Sequence, residues 1–479
     1  MTTAFSFPLR LRPLGVLALA ALSACGTLGP GPEALRHGVD VPAAWAAPSD
    51  AGSEPAPTRL ADWWTRFNDP VLSELVREAL AQGTSVRRAQ AVLQQARAQR
   101  EATGAGLGPS VDLGASAQRA RAAASGTTNS RSLSLDASWE ADLFGARRSA
   151  AAASQAEARA AALGLGHAQA SLAAEVALAY YDWRGQRLRL GIAQRNLAAQ
   201  EATLQIVQWR VQAGLASSVE LEQARAAAAQ TRAQLPTLQA NAAQALNSLA
   251  VLTGRAPGAL AQAATAWPES DPPQPDTALA LSFPADVLRQ RPDVGAAFER
   301  AEAARQRVAQ AEAARYPSLR LSGSLGLRSL AAGTSAANSL IASLAAPLFD
   351  GGALRAQANA QAAAFEQARL DVESAVLAAL REVEDALVSL AGDRERVQRL
   401  QTAAQAAANA ELLARQRYQG GLIDFATVLE TQRSLLSAQD SLPAPRWPWP
   451  PTMCSSTRPW AAAGCPTPPS PDPFLLALP

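Results

Sequence analysis

The chain repeats itself, and that constrains its fold more than any other feature. Pro109-Ser110-Val111-Asp112-Leu113 returns as Pro317-Ser318-Leu319-Arg320-Leu321, 208 residues later. Asp142-Leu143-Phe144-Gly145 is matched by Pro347-Leu348-Phe349-Asp350-Gly351, with the Leu-Phe pairs 205 apart. Arg210-Val211-Gln212-Ala213-Gly214-Leu215 is matched by Arg417-Tyr418-Gln419-Gly420-Gly421-Leu422, 207 apart. Three matches in the same order describe two structural halves. Length alone would divide 479 residues into about three ordinary domains; the repeat replaces them with two copies of one plan.

The plan is a helix, two strands, a long helix and a further helix. Asp69-Pro70 opens the first helix, with Asp as N-cap and Pro at the first helical position. The second half starts in the same way near Arg291-Pro292-Asp293. Leu133, Leu135, Ala137, Trp139, Ala141 and Leu143 alternate with polar residues, the period of a strand with one apolar face. Val111, Leu113, Ala115 and Ala117 alternate before it. In the second half Leu319, Leu321, Leu325 and Leu327 are followed by Leu340, Ala342, Leu344 and Leu348. Polar segments at 125–130 and 333–339 read as the hairpin loops. No Pro interrupts 110–235 or 348–442, and Val372, Val376, Leu380, Val383, Leu387 and Leu390 form a near-heptad helical stripe. From about Ala353 to Tyr418 such a helix reaches about 100 Å. Gly214 and Gly420-Gly421 end the two long helices; Ser217 with Glu220 has capping-box spacing, and Asp424 caps the last helix.

Composition fits this plan. Ala supplies 114 residues and aromatics only 5%, which suits thin helix seams better than thick cores. All 43 basic residues are Arg, against 41 acidic ones, a balance that excludes a typical nucleic-acid binder. Three Cys and two His, His37 and His167, build neither a disulfide framework nor a metal array. No His-Glu-x-x-His, Walker loop or Gly-x-Ser-x-Gly is present, so no enzyme, catalytic residue or metal is expected.

Residues 1–24 read as a signal peptide, with Arg10 and Arg12 before the apolar run Leu14–Leu22. Leu22-Ser23-Ala24-Cys25 resembles the bacterial lipobox, which implies lipid on the sulfur of Cys25; an ordinary leader with a chance Cys is the alternative. Gly26, rather than Asp, implies sorting to the outer membrane. Residues 25–60 form a tether, 61–255 the first repeat, 256–283 a linker, 284–442 the second repeat and 443–479 a Pro/Trp-rich tail. Nothing after the leader supplies a transmembrane helix.

Four strands cannot close a membrane barrel, and open edges are not tolerated in lipid. Several copies must pool their strands, and helices this long also need partners. A periplasmic coiled-coil structural or adaptor protein with a small β-part is the rival reading.

The ordered motifs resemble the TolC/OprM-like outer-membrane factors, specifically the NodT-type efflux lipoproteins, over residues 25–442. They are the lipobox, Trp63-Trp64 with Phe67-Asn68-Asp69-Pro70, the two Leu-Phe strand ends, Arg289-Gln290-Arg291-Pro292-Asp293, Arg417-Tyr418-Gln419-Gly420-Gly421 and Asp424-Phe425. The resemblance implies a mainly α fold with a small β part. Three chains would build a helical barrel through the periplasm and a twelve-stranded barrel in outer-membrane lipid. It implies a passive exit duct for drugs or other small molecules, working with a periplasmic adaptor and an inner-membrane efflux transporter. A duct for secreted polypeptides is the alternative, and no cofactor is implied beyond lipid on Cys25. Carried over by position, Glu430 and Arg433 match the periplasmic gate, although a solvated surface pair is the alternative. Glu430 stands where the family usually has Asp. Gly214, Leu215, Val219, Glu220, Gly421, Leu422 and Asp424 match the tips that dock the adaptor. Back-translation of residues 451–464 permits a neighbouring frame reading DHVLLYKALGGGW, similar to the usual ending of the family, so a frameshift near residue 443 is expected.

Overall fold

The computed structural model describes residues 38–46, 62–122, 126–268, 288–330 and 333–441. The leader, Cys25, His37 and the tail after residue 442 lie outside them. A 3-10 helix, Trp63–Phe67, precedes α1, Pro70–Gln82, and α2, Thr84–Ala105. Strands β1, Ser110–Ala122, and β2, Gly126–Ala141, lead into α3, Ala146–Gln212, and α4, Ser218–Leu252. After a one-turn helix α5, Ala261–Ala264, the series restarts with α6, Pro292–Ala313. It continues through β3, Ser318–Leu330, β4, Gly333–Ala345, α7, Ala353–Gln419, and α8, Phe425–Ser441. Counterparts keep register closely: α2 and α6 start 208 residues apart, β1 and β3 208, α3 and α7 207, α4 and α8 207. Both long helices have 67 residues, about 100 Å of helix each.

Contacts divide the described chain into two units. One holds Gln94–Ala160 and Ala297–Val372; the other holds Gly38–Leu93, Ala161–Ala296 and the residues from Glu373. The first contains the sheet, antiparallel throughout, in the order β1-β2-β3-β4. Its helices meet through small side chains: Ala153, Ala156, Ala160, Ala301 and Ala304 are buried. Arg159 and Glu299 pair at 2.9 Å across this seam, and Arg307 pairs with Glu157. Alanine lets backbones approach closely while costing no side-chain entropy.

The second unit has an aromatic core. Trp63, Phe67, Tyr180, Tyr181 and Trp183 pack with Leu72, Val76, Leu249 and Leu260. Asp69 caps α1 as its sequence promises, its Oδ1 accepting from the N–H of Val71 at 2.9 Å and of Leu72 at 3.1 Å. The sequence does not reveal its other partners. Its Oδ2 accepts from the Tyr180 hydroxyl at 2.9 Å and from Arg184 at 3.2 Å, all three buried. Burial, and then the Asp69 charge, push the Tyr180 hydroxyl well above the ordinary tyrosine range.

Several expectations change. The first helix of the first half is two helices, because Gly83 leaves helical geometry at ψ 131°. A Cβ there would lie 2.5 Å from both the Ala79 carbonyl and Leu172 Cδ2, so the break admits a close approach of α3. The polar segments expected as hairpin loops are largely strand. Thr127 pairs with Arg121 and Thr128 with Ala120, and Thr334 with Ser329, because ladder hydrogen bonds form regardless of side-chain polarity. Leu348 is not in β4, which ends at Ala345; Pro347 has no N–H to extend the ladder. Residues 256–268 are not a bare linker, since Leu260 is buried and Trp267 meets Trp183 edge-on at 4.9 Å. Part of the tether is docked: the Ala46 N–H donates to Glu384 at 2.7 Å.

Candidate functional site

One functional surface is the sheet. Its register lines Leu113, Leu135 and Leu325 in one cross-strand row and Leu133 beside Leu327 in the next. With Val111, Leu340 and Leu344 they leave an apolar face open, Leu113 73% and Leu340 86% exposed. The opposite face is polar. Ser110 meets Ser138 at 3.0 Å, and Ser116 with Ser132 and Ser324 with Ser339 each meet at 2.8 Å, while Asp112 pairs across from Asp136. At one end of the strands the Trp139 indole donates to the Leu107 carbonyl, and Phe144 stacks on Tyr316 at 4.8 Å. Aromatic rings with one polar atom suit a lipid–water boundary. At the other end stand Arg119, Arg121, Arg131 and Arg328. Strands of 13 to 16 residues exceed the roughly 9–11 that a tilted strand needs to cross a bilayer. No helix among the described residues is long and apolar enough to cross a membrane.

The other surface is the pair of turns that end the long helices. In the first, Gly214 at φ 74° lets its N–H reach the Val211 carbonyl while the Leu215 N–H reaches Arg210 at 2.7 Å. In the second, Gly421 at φ 69° does the same with Tyr418, and Leu422 with Arg417 at 2.9 Å. These are matched Schellman ends, and only glycine takes that backbone without strain. The turns present apolar side chains to solvent: Leu215, Val219 and Leu422 are 68%, 63% and 77% exposed. Asp424 caps α8, accepting from the Thr427 hydroxyl at 2.5 Å and its N–H at 3.0 Å. Those bonds hold its carboxyl below the usual range.

Behind the turns lies a contact that sequence spacing does not disclose. The Tyr418 hydroxyl donates to Glu220 at 3.1 Å, joining the second turn to the first. Arg210 lies over the Tyr418 ring at 4.5 Å and donates to its carbonyl at 2.6 Å. Phe425 packs against the same ring at 5.4 Å. Val207, Ala224, Val428 and Leu429 complete this small core. Burial, and then the bond to Glu220, push the Tyr418 hydroxyl up to about 12, so it stays a donor at neutral pH. The expected capping box is therefore half formed. Ser217 accepts from the Glu220 N–H at 3.3 Å, but the Glu220 carboxylate is spent on Tyr418. Tyr418 stands where the first half has Val211, and that difference between the repeats does not name Glu220 as its partner.

Glu430 and Arg433 share the exposed side of α8 and form no ion pair with each other among the described residues. Gln432 between them is buried and donates to Thr203 at 3.3 Å. Among the described residues no cluster could hold a metal ion.

Among the described residues, a four-stranded sheet with an apolar face and two open edges, joined to two 67-residue helices with matched turns, defines an outer-membrane channel of the TolC type. The chain belongs to the outer membrane efflux protein family, whose pattern it matches over residues 75–255 and 283–446. It is 33% identical over 446 residues to the pyoverdine export outer membrane protein OpmQ of Pseudomonas aeruginosa, covering 88% of this chain and 92% of that one. It is 30% identical over 448 residues to the toluene efflux pump outer membrane protein TtgF of Pseudomonas putida, covering 89% and 91%. The solved outer-membrane channel OprN superposes with a TM-score of 0.80 at 31% identity, covering 92% of this chain and 99% of that one. The protein is thus an outer-membrane channel of an efflux system, in a family of ducts rather than enzymes. The rival reading as a periplasmic adaptor or structural coiled coil is set aside.

Proposed function

We propose that three copies of this chain assemble into a passive exit duct that performs no chemistry. Twelve pooled strands cross the outer membrane, lipid on Cys25 anchors each chain, and the long helices line the periplasmic passage. The observation that carries this reading is the sheet, whose exposed leucines and unpaired edges are tolerable in lipid only when other copies close it. The cargo is small organic molecules. The names of two relatives specify cargoes as different as pyoverdine and toluene, which fits a conduit that leaves selection to its transporter. Gly214, Leu215, Val219, Glu220, Gly421, Leu422 and Asp424 form the tips that dock a periplasmic adaptor, and an inner-membrane transporter supplies the energy.

Glu430 and Arg433 form the gate ring at the tip, where three carboxylates brought together attract cations and repel anions. The Tyr418–Glu220 bond latches the two turns in the closed arrangement. The test is the passive conductance of the trimer in a planar bilayer. Replacing Glu430 and Arg433 together by Ala raises it, and an unchanged single-channel conductance refutes the gate. The tail from residue 443 reads as an out-of-frame ending. Sequencing the coding DNA tests this: the neighbouring frame encodes DHVLLYKALGGGW if the reading is right and lacks it if wrong.

A further inference from the structure

Among the described residues, the only charges on the apolar face of the sheet are three arginines near one end. Strand parity puts Arg119 and Arg121 of β1 on the side of Val111 and Leu113, and Arg131 of β2 on the side of Leu133 and Leu135. The carboxylates of the described strands, Asp112, Asp136 and Glu140, take the opposite parity, as do Arg320 and Arg328. We propose that Arg119, Arg121 and Arg131 bind the phosphate groups of lipid in the outer leaflet of the outer membrane. This rests on the reading of the sheet as a membrane-crossing segment and names what its outer rim holds.

Position is the first argument. The register sets Asn129 opposite Arg119, Thr127 opposite Arg121 and Ala117 opposite Arg131. Asn129 is ten residues from Trp139 along β2, and a tilted strand crosses a bilayer in about 9–11 residues. With the Trp139 indole at the inner boundary, the row of Arg119 falls at the outer one. Arg131 stands two residues inside that row and Arg121 two residues outside it. Between Trp139 and Arg131 the same face of β2 carries only Leu133, Leu135 and Ala137. The arginine end is the outer one because the long helices α3 and α7 leave from the opposite end, after β2 and β4.

Charge is the second argument. All three arginines are exposed, and none forms an ion pair among the described residues. Arg131 is the diagonal neighbour of Arg119, at a spacing of about 7–8 Å that long side chains bridge. Like charges so close repel, and arginine on a lipid-facing surface is costly at depth but tolerated near the boundary. Phosphate relieves the repulsion, and each planar guanidinium can grip its oxygens with two parallel hydrogen bonds. Thr127 and Asn129 place further donors on the same face. Parity also keeps these three side chains out of the channel interior, so passing anionic cargo does not meet them. Arg328, on the polar face, is the internal control.

The test titrates the purified full chain with bisphosphorylated lipid A, with the same lipid stripped of phosphate, and with inorganic phosphate. Affinity is read from the rise of the thermal midpoint with ligand concentration. The expected result is binding of the phosphorylated lipid about tenfold or more tighter than the stripped one, weakened by high salt, with no effect of millimolar inorganic phosphate. Replacing the three together, Arg119→Gln with Arg121→Gln and Arg131→Gln, should weaken it about a hundredfold, roughly fivefold per arginine. Arg328→Gln should leave it unchanged. If the triple variant fails to fold, the comparison of the two lipids on wild type decides alone. Equal binding of both lipids by wild type overturns the site, as does a loss in Arg328→Gln as large as in the triple variant. Inorganic phosphate that stabilises as well as the lipid overturns lipid as the occupant. Protease digestion in reconstituted phosphatidylcholine vesicles separates the two readings. A protected sheet that ignores lipid phosphate overturns this site alone, whereas a sheet that protease cuts freely refutes the membrane-crossing reading and the site with it.

Discussion

Replacing Tyr418 by Phe isolates the latch at the periplasmic turns. The ring keeps its packing against Phe425 at 5.4 Å and its place beneath Arg210 at 4.5 Å, so only the hydroxyl bond to Glu220 is lost. A hydroxyl bonded to a carboxylate contributes about 1.5–3 kcal/mol when sheltered. Glu220 is half-buried, and interactions of exposed charges fall to about 0–1 kcal/mol, so about 1 kcal/mol per chain is the working figure. If the turns of three copies part together, the closed state loses about 3 kcal/mol, which is about a hundredfold in the ratio of open to closed channels. Single-channel recording of the purified trimer reads that ratio directly. Glu220→Gln should resemble Tyr418→Phe, and the double variant should open little further than either, because both remove the same contact. An open probability equal to wild type in Tyr418→Phe, or fully additive effects in the double variant, would refute the latch.

Asp69→Ala should be among the most destabilising single substitutions in the second unit. It removes a helix cap, about 1 kcal/mol, and breaks a buried ion pair with Arg184, about 3–5 kcal/mol, whereas Asp69→Asn keeps a capping oxygen and should lose less. Thermal melting of the two variants checks the order. Alkaline pH should loosen the fold through its tyrosines. Tyr180 and Tyr418 are both raised above the ordinary value of 10.0, so the unfolded chain sheds their protons first. Their contribution is intact below about pH 10 and declines as pH climbs toward and beyond the Tyr418 value of about 12. Tyrosinate absorbance followed against pH should lose its step near 12 in Tyr418→Phe; titration of that step unchanged in the variant would reassign it.

Much of this architecture is written in local pattern. Period-two alternation marks the strands around Leu135 and Leu321, and period-3.6 spacing marks α7 through Val372, Val376 and Val383, because each depends on neighbours a few residues away. The Gly214 and Gly421 turns are equally local, since a left-handed residue must end those helices. Strand ends were less legible. Ser, Thr and Asn between hydrophobic runs look like loops, yet the ladder carried β2 back to Gly126 and β4 back to Gly333.

The sequence by itself determined the two repeats, the long alanine-rich helices and the need for other copies, since four amphipathic strands and solitary long helices cannot bury their own surfaces. Only the tertiary structure decided which polar groups meet. Tyr180 reaches Asp69 across 111 residues, and Tyr418 reaches Glu220 across 198. No periodicity encodes such partners. They are chosen when packed helices bring two distant side chains within hydrogen-bond range and exclude the water that would otherwise satisfy them. The break at Gly83 has the same origin: it is set by the approach of Leu172 from another helix, which nothing in the local sequence records.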